Sequence, residues 1–548
     1  MLWFTSLSYH AQTVSLFVMA FHCMCCPRLT VAESYDYDQK PLMGHGTGCG
    51  MAADGYRHCG ILPKIAVIGA GISGASSAFY LRQLFGKDVS IDIYEKHKVG
   101  GRLASVMFGG KEYESGGSVI HPGNAYMVNF TRMFGLHPRD RESGRLGIFD
   151  GKQMVFDSSR WGLLTLGQLL WHYGWDIYRM QSFVDKVVGR FRRIYSHQAN
   201  GQAFTNLEGL LGSMSPDFLR LLRTTLADEL RLNGFSELLI KELVNAGIRC
   251  NYGQNTNIHA FVGMVSMAGM QSGLWSIHGG NRLMPEKLVN SSEATVLHAD
   301  VHTIVRQKKP KKSSGDLALY QLQSFELGGA NKYLSRTYDV VIIAAPLHDD
   351  IAGIQFEKFN RKVVKPPQHF HKTVTTFVSG WLNATMFNYR SVGNLPGQVL
   401  TSKDGLFFNS IGRQTAVDFK HAKKTTSDSS APKNDDNQTP VWKIFSPKLL
   451  TTEQLDSLFL SYGEVQVIDW AAYPKYGSNA NNMPVFELSV QLYYANAMEM
   501  ASSTMETCVI SGRNVALLAY NRWFDKDDKI DNINDNIQPK DDKKRQEL

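Results

Sequence analysis

Three glycines and one glutamate carry the clearest chemical signal in the chain. Gly69, Gly71 and Gly74 form a GxGxxG pattern directly after a short apolar run. In such a pattern the first glycine makes a tight turn, the second lets the backbone approach a pyrophosphate, and the third lets a helix pack closely on a sheet. Glu95 follows 21 residues after Gly74, where a carboxylate binds ribose hydroxyls and repels the 2′-phosphate of NADP. The spacing predicts a dinucleotide site; the alternative is a structural glycine turn with Glu95 at the surface.

The neighbouring residues predict the elements that would position this site. Ala78, Leu81 and Phe85 recur at helical spacing after the glycines, and an alternating strand pattern at residues 89–93 leads to Glu95. The helix would present free N–H groups to phosphates at its N-terminus. The continuous apolar run before Pro346 is typical of a parallel strand that is covered on both faces. These patterns predict an α/β fold with a Rossmann-like domain.

The order of the patterns predicts two interleaved domains. Residues 151–275 are mainly helical in pattern, whereas residues after Gly279 are rich in strand patterns. The predicted nucleotide-binding domain comprises residues 61–120, 276–350 and 481–524. The predicted second domain, of α+β type, comprises residues 121–275 and 351–480. Within this second domain, the polar residues 421–440 predict a disordered insertion. After the last segment of the nucleotide-binding domain, residues 525–548 form a charged tail.

Composition limits the classes of partner. The chain has 548 residues, of which 43% are hydrophobic and 20% are charged, as is ordinary for a globular protein. The net charge of +8 is spread along the chain, and the densest basic cluster, residues 306–312, has the composition of a solvated loop. We therefore expect no nucleic-acid partner. The seven cysteines show no metal-ligand spacing, so no metal site is predicted.

The first 60 residues suggest entry into the secretory pathway. The apolar run Val14–Cys26 is too short to span a bilayer and suits a signal peptide over residues 1–32, followed by a linker over residues 33–60. The alternative is an extended start, with the folded protein beginning near Leu62. Glycosylation sequons support secretory entry, and a Cys49–Cys59 bridge could form there. The ER lumen is an alternative final compartment. The sequons are at Asn129, Asn290, Asn383 and Asn437.

Further glycine motifs extend the pattern, and with them the chain resembles the FAD-dependent amine-oxidase-like flavoproteins. These motifs are Gly100-Gly101-Arg102, Gly116-Gly117, Gly279-Gly280-Asn281 and Ser511-Gly512-Arg513-Asn514. The resemblance implies FAD as the cofactor, with Arg102 near the pyrophosphate and Val301 near the adenine. It also implies that residues 511–517 form a helix N-terminus beside the flavin. The predicted cofactor-binding residues are Gly69, Gly71, Gly74, Glu95, Gly101, Arg102, Gly116, Gly117, Val301, Gly512 and Asn514.

Within that superfamily the chain resembles the prenylcysteine oxidases. The resemblance rests on residues 114–122, 251–255, 260–266, 272–275 and 519–523. It implies cleavage of the thioether of farnesyl- or geranylgeranyl-cysteine with O2 and water, giving cysteine, a prenyl aldehyde and H2O2, in the degradation of prenylated proteins. It also implies a lysosomal or secreted protein. The sequence has no second GxGxxG after a strand, which favours a small oxidant such as oxygen over a nicotinamide partner.

A prenyl substrate would need an apolar channel and a polar end. The candidates for the channel are Phe261, Met264, Met267 and Trp275, with Met270 and Leu274 nearby; the alternative is plain helix packing. His121 and His278 are candidates for orienting water or the amino-acid head group, and Arg413 or Lys475 for binding the carboxylate. No catalytic side chain is selected. A lipid-like substrate also leads us to expect peripheral association with lipid or membranes.

Two other functions remain open from the sequence. An amine oxidase or desaturase would share every FAD motif. A non-enzymatic prenyl carrier resembling the Rab escort and GDP-dissociation inhibitor proteins would use a related fold without an intact pyrophosphate site. The retained glycines, Glu95 and Arg102 argue for bound FAD.

Overall fold

A computed structural model describes most of the chain. The described residues are 50–51, 57–58, 62–140, 144–307, 318–328, 332–348, 351–366, 369–420, 439–478 and 483–532. The predicted signal peptide, nearly all of the linker, the Cys49–Cys59 bridge, Asn437 and most of the insertion and tail lie outside these residues.

The described residues form two large sheets with helices packed on them. The strands are β1 (Gly50–Met51), β2 (Arg57–His58), β3 (Lys64–Ile68), β4 (Ser90–Glu95), β5 (Ser105–Phe108), β6 (Lys111–Glu114), β7 (Leu146–Phe149), β8 (Met154–Asp157), β9 (Thr295–Gln307), β10 (Leu319–Glu326), β11 (Tyr333–Tyr338), β12 (Val340–Ile343), β13 (Gln355–Glu357), β14 (Phe370–Leu382), β15 (Gln398–Thr401), β16 (Ser410–Arg413), β17 (Val441–Ser446), β18 (Phe459–Pro474), β19 (Glu487–Ser489) and β20 (Leu492–Tyr494). The α-helices are α1 (Ile72–Phe85), α2 (Ala125–Met133), α3 (Gly162–Tyr173), α4 (Asp176–Phe191), α5 (Arg193–Ala199), α6 (Leu207–Met214), α7 (Pro216–Leu221), α8 (Leu226–Leu232), α9 (Glu237–Leu239), α10 (Asn245–Tyr252), α11 (Ala260–Ala268), α12 (Leu283–Ser292), α13 (Thr452–Leu458) and α14 (Met505–Trp523).

The first sheet has the Rossmann-like arrangement that the sequence predicts. Its strand order is β11-β10-β9-β4-β3-β12-β20-β19, and β4, β3, β12 and β20 run parallel. The side chains of Ile65–Val67 and Val340–Ile343 are fully buried, since helix α1 packs against these central strands and strands β10 and β11 also contact β12 and β3. Helix α1 packs on the sheet and against α12 and α14. The α/β class is confirmed.

The second sheet is mainly antiparallel and belongs to the other lobe. Its order is β18-β14-β17-β16-β15-β7-β8, and helices α3 to α11 precede its long strands in the chain. The first sheet takes its strands from residues 64–95, 295–343 and 487–494, and the second from 146–157 and 370–474, so the two lobes interleave along the chain. One strand, β13, lies beyond the predicted boundary at residue 350 and nevertheless pairs with β9 of the first sheet.

No helix among the described residues is both long enough and apolar enough to cross a bilayer. Helix α1 begins directly after Gly71, and Gly71 is its N-cap residue. Helix α14 lies along α1 and brings the C-terminal part of the chain next to the glycine turn. The sequence distance between the two helices is more than 400 residues, so the site between the lobes is assembled entirely by tertiary packing.

Candidate active site

A cavity of about 3830 Å³ lies between the two sheets. Small-molecule pockets usually measure roughly 300–1,000 Å³, so this cavity has room for more than one ligand. One end is lined by the glycine turn, the end of β4, the start of β9 and the N-terminus of α14. The other end is lined by α10, α11 and strands of the second sheet. A cofactor-sized ligand and a second molecule can therefore share this cavity.

The three glycines of the GxGxxG turn are needed for different reasons: two for the fold and one for space in front of the turn. Gly69 has φ +102°, and a Cβ atom there would lie 3.0 Å from the Ala344 carbonyl oxygen. A Cβ atom at Gly74 would collide with the Gly69 carbonyl oxygen. At Gly71, by contrast, the nearest protein atoms to a Cβ would be 3.9 and 4.0 Å away, on Gly100 and Gly101. Folding requires Gly69 and Gly74, whereas Gly71 keeps open a cradle that a ligand can fill.

Glu95 stabilises this turn through hydrogen bonds and borders the cavity. Its Oε2 accepts a hydrogen bond of 2.7 Å from the Ala70 N–H, and its Oε1 accepts one of 2.7 Å from the His97 N–H. Each carboxylate oxygen can accept a second hydrogen bond, so the predicted contact with ribose hydroxyls fits the geometry. Val301 is buried and lines the same end of the cavity with Asp300.

The other glycine motifs form one wall. The Gly117 N–H donates to the Arg102 carbonyl oxygen at 3.0 Å, and a Cβ atom at Gly116 would collide with that same oxygen. Gly101 has φ +56° and faces Gly71. The Asn281 side chain donates to the Gly117 carbonyl oxygen at 2.9 Å and thereby ties the third glycine motif to the second. Gly101, Gly116 and Gly117 all line the cavity.

Arg102 lies on the cavity wall with its guanidinium already engaged. It donates to the Ala472 carbonyl oxygen at 2.8 Å and forms an ion pair with Glu499. Burial acts to lower the pKa of Arg102, but the negative charge of Glu499 and other interactions raise it above its usual value. The Oε2 atom of Glu499 and the Oδ1 atom of Asn496 are buried and have no hydrogen-bond partner among the described residues. Because both residues line the cavity, these acceptors suit a ligand that donates hydrogen bonds there.

The prediction for the C-terminal helix is wrong in position. The expected N-terminus at residues 511–517 lies well inside α14, which begins at Met505 because Thr504 and Thr507 form a capping box. The residues of this helix that line the cavity are Met505–Cys508, preceded by Ser503 and Thr504.

Gly512 and Asn514 have structural roles in place of the predicted cofactor contacts. A Cβ atom at Gly512 would lie 2.7 Å from the Ser73 carbonyl oxygen, so this glycine allows α14 to cross α1 closely. The Asn514 side chain accepts a hydrogen bond of 2.9 Å from the Phe204 N–H and donates one of 2.8 Å to its carbonyl oxygen. Neither residue lines the cavity.

Some of the predicted channel residues line the cavity and others do not. Phe261, Met264 and Trp275 line the cavity, and the Phe261 ring centroid lies 5.1 Å from that of Phe218 behind it. Met267 is fully buried but is not part of the wall. Met270 does line the wall, although it lies beyond the end of α11 and so does not share a helical face with Met264.

Among the polar candidates, His121 has the most defined geometry. Its Nδ1 accepts from the Gly123 N–H at 2.9 Å, so the proton of the neutral ring is on Nε2, which lies 3.0 Å from the Gln271 Oε1. Burial lowers the pKa of His121, which keeps the ring neutral near pH 7. Arg413 also lines the cavity, whereas His278 and Lys475 are not part of its wall.

Sequence reasoning missed several cations on the cavity wall, among them Arg139 and Lys443. Arg139 lines it, and its side-chain hydrogen bonds to the Thr415 and Ala416 carbonyl oxygens and to Ser276 are long, at 3.4–3.5 Å. Lys443 donates to the Glu114 carbonyl oxygen at 3.0 Å. A lysine inside the apolar strand β17 is a signal that could have been noticed, because a buried charge on an apolar strand is rare.

Glu506 is a further charged group that the sequence did not single out. It accepts hydrogen bonds of 2.8 Å from the Tyr126 N–H, 3.0 Å from the Met127 N–H and 2.8 Å from the Tyr195 hydroxyl. Burial raises the pKa of Glu506 to about 7, although these donors act in the opposite direction. The carboxyl group borders the cavity beside the N-terminus of α2.

Three of the four sequons lie in described residues, on different elements. Asn129 is half-buried inside α2, and Asn290 is exposed near the end of α12. The Asn383 side chain caps the short 3-10 helix Ala384–Phe387 by accepting from the Thr385 N–H at 3.2 Å. Glycosylation at these positions stays a prediction.

The comparisons with known proteins agree on one family. A family model described as prenylcysteine lyase matches residues 156–532, and one described as an NAD(P)-binding Rossmann-like domain matches residues 67–134. Prenylcysteine oxidase 1 from Bos taurus and from Homo sapiens are each 40% identical over 471 residues, which cover 85% of this chain and 90% and 91% of those proteins. Prenylcysteine oxidase 1-like from Homo sapiens is 37% identical over 473 residues, covering 85% of this chain and 92% of that protein.

Solved structures support the fold. Cyclohexylamine oxidase from Brevibacterium oxydans matches with a TM-score of 0.51 and 14% identity over 85% of this chain and 100% of its own. A fatty acid isomerase from P. acnes matches with a TM-score of 0.51 and 16% identity over 82% and 97%. At this level of identity these likenesses concern the fold alone.

Proposed function

The chain belongs to the prenylcysteine oxidase family, and we propose that it is an FAD-dependent oxidase that cleaves the thioether of farnesyl- or geranylgeranyl-cysteine. The observation that carries the proposal is the 40% identity to prenylcysteine oxidase 1 over 85% of the chain. The products are cysteine and a prenyl aldehyde.

The residues at the nucleotide end fit FAD. The cradle in front of Gly71 is bounded by the N-terminus of α1, where free backbone N–H groups favour a pyrophosphate. Glu95 lies at the end of the neighbouring parallel strand, where ribose hydroxyls are bound in this fold. When bound, FAD supplies a hydride acceptor for the prenyl carbon that is attached to sulfur.

The rest of the cavity wall determines what the protein contributes. Phe261, Met264 and Trp275 would hold the isoprenoid, and burial of each methylene is worth about 0.8 kcal/mol. Positive charge at the reacting carbon is stabilised by its sulfur and its allylic double bond, so a strong general base is not required. The residues act mainly by orienting the substrate and by excluding bulk water. Arg139, whose guanidinium makes long hydrogen bonds to the described residues, would bind the cysteine carboxylate.

Three further parts of the proposal concern partners and location. O2 is the final electron acceptor and yields H2O2; the sequence supports this because it has no second GxGxxG after a strand that would bind a nicotinamide partner. The apolar substrate is drawn from a lipid environment. The protein works in the secretory pathway, in lysosomes or outside the cell, as its N-terminal apolar run and sequons suggest.

The alternatives are less well supported. The likeness to an amine oxidase is limited to the fold, at 14% identity. A prenyl carrier without FAD would have no need for the open cradle at Gly71.

Anaerobic mixing tests the proposal. We expect farnesylcysteine to abolish the visible absorbance of the purified, FAD-loaded protein, and admission of O2 to restore it with formation of H2O2. S-dodecylcysteine is the matched control, because its hydrophobic chain is of similar length but lacks the allylic double bond. It should react at least a hundred-fold more slowly. Bleaching by cyclohexylamine but not by farnesylcysteine would reject the proposed substrate.

A further inference from the structure

Helix α3 presents large apolar side chains to solvent. Trp161, just before the helix, is 63% exposed, Leu163 and Leu164 are 65% and 60% exposed, and Trp171 is 93% exposed. The opposite face of the helix carries Thr165, Leu169 and Tyr173, which are buried. The helix is therefore apolar on both sides, and only one side is used by the fold. Contiguous exposed apolar surface of this kind marks an interaction site.

This surface borders the entrance of the cavity. Residues 159–162 line the cavity, and Trp161 is both part of its wall and exposed to solvent. Trp161 therefore lies where the cavity opens. An isoprenoid that enters or leaves by this opening passes directly along the first turn of α3.

The charges around α3 suit a phospholipid surface. Residues 158–175 contain no Asp or Glu, and Arg160 is the one Lys or Arg among them. The carboxylates beside the helix are occupied: Asp176 forms an ion pair of 2.7 Å with Arg179, and Glu242 is bonded to His172 at 2.7 Å. No free carboxylate of these neighbours would repel a lipid headgroup. Tryptophan at both ends of the exposed face is typical of helices that lie at the depth of the headgroups.

We propose that α3, with Trp161, Leu163, Leu164, Trp171 and Trp175, docks this protein onto the surface of a phospholipid bilayer and places the cavity entrance against it. This inference rests on the proposed function, because an isoprenoid substrate gives the entrance a reason to face lipid. The substrate then passes between bilayer and cavity without crossing water. Unfavourable exposure of the prenyl chain to water is thus avoided during transfer.

Vesicle flotation of the full-length, FAD-loaded protein tests the proposal. The variant is Leu164→Ser with Trp171→Ser, since neither residue lines the cavity. The matched control is Leu449→Ser with Leu460→Ser, which removes two leucines of similar exposure from the second lobe. With vesicles of phosphatidylcholine and phosphatidylserine we expect the bound fraction of the α3 variant to fall at least ten-fold, while the control floats like the unaltered protein. Flavin content should be equal in all three.

Other results would overturn the docking assignment. Unchanged flotation of the α3 variant, or an equal loss in the control, would do so. Failure of the unaltered protein to bind vesicles would also do so. If the unaltered protein were then a dimer and the α3 variant a monomer, the surface would be an interface between copies. Because flotation is measured without turnover, failure of the docking surface is distinguishable from failure of the proposed reaction.

Discussion

Arg102 and Glu499 form an ion pair across 397 residues of sequence, at the wall of the cavity. Arg102 directly follows Gly100-Gly101, and Glu499 lies in the short 3-10 helix Ala497–Met500 that leads to α14. The Glu499 side chain is only 1% exposed, so its charge depends on Arg102 for compensation. The pair links two distant segments of the cavity wall, and we expect Arg102 to serve both folding and FAD binding.

Replacement of Arg102 by methionine should weaken both properties. The free energy of unfolding should fall by roughly 3 kcal/mol, because a buried carboxylate loses its partner. FAD affinity should fall at least ten-fold, equivalent to ~1.4 kcal/mol. Thermal unfolding and flavin titration measure the two effects. In the double variant Arg102→Met with Glu499→Gln, stability should largely recover and affinity should not. Recovery of both would show that Arg102 serves the fold alone.

Gly71→Val should give a folded protein that does not retain FAD. The nearest protein atoms to a Cβ atom at this position are 3.9 and 4.0 Å away, so the apoprotein has room for a Cβ atom, and we expect the side chain to occupy the space of the pyrophosphate. The protein is incubated with excess FAD, and free FAD is then removed by gel filtration. The remaining visible absorbance measures FAD retention, and circular dichroism measures folding. Gly189→Val in α4 is the control, because nothing lies within 4 Å of its Cβ position. Normal flavin content in Gly71→Val would place the pyrophosphate elsewhere.

Gly512→Ala should destabilise the fold without changing the chemistry of the site. The added methyl group would lie 2.7 Å from the Ser73 carbonyl oxygen and would push α14 away from α1. Overpacking of this kind costs about 1–3 kcal/mol. Chemical denaturation should show this loss, while the FAD affinity of the folded fraction stays within about three-fold of the original. A large loss of affinity without loss of stability would restore the contact predicted from the sequence.

Glu506 should give the protein a pH-dependent stability. Burial raises its pKa from 4.5 to about 7, so between these values the folded protein holds a proton that the unfolded chain has released. This contribution is complete below about pH 4.5, declines as the pH rises to about 7, and is level above that. Glu506→Gln removes it.

The difference between the two proteins isolates the effect. Burial lowers the pKa of His259 to about 4 and produces a slope of opposite sign, but both proteins share it. We expect the stability of Glu506→Gln, relative to the original, to rise by a few kcal/mol from pH 4.5 to 7. A constant difference across this range would mean that Glu506 is ionised throughout in the folded protein.

The parts of the site that could be predicted are those encoded by local sequence. The turn at Gly69–Gly74 and the position of Glu95 follow from short-range steric rules, and the structure has them as expected. The start of α14 could not be predicted from the motif at residues 511–514, because the capping box at Thr504 and Thr507 decides it. Met264 and Met267 are both fully buried on α11, and which of them borders the cavity depends on how α11 packs.

The cations of the second lobe were missed for a related reason. Arg139 reaches the cavity from a loop after α2, and Lys443 reaches it from a strand more than 300 residues later. Neither belongs to a motif with fixed spacing. Their common destination follows from the pairing of β14, β17 and β16, which only the assembled second sheet defines.

Product analysis tests the central claim most directly. The purified protein, supplied with FAD and O2, is incubated with farnesylcysteine and with geranylgeranylcysteine, and the mixture is analysed by mass spectrometry and a peroxide assay. We predict equal amounts of free cysteine, prenyl aldehyde and H2O2. A protein that stays colourless with added FAD and returns the prenylcysteines intact would contradict the account.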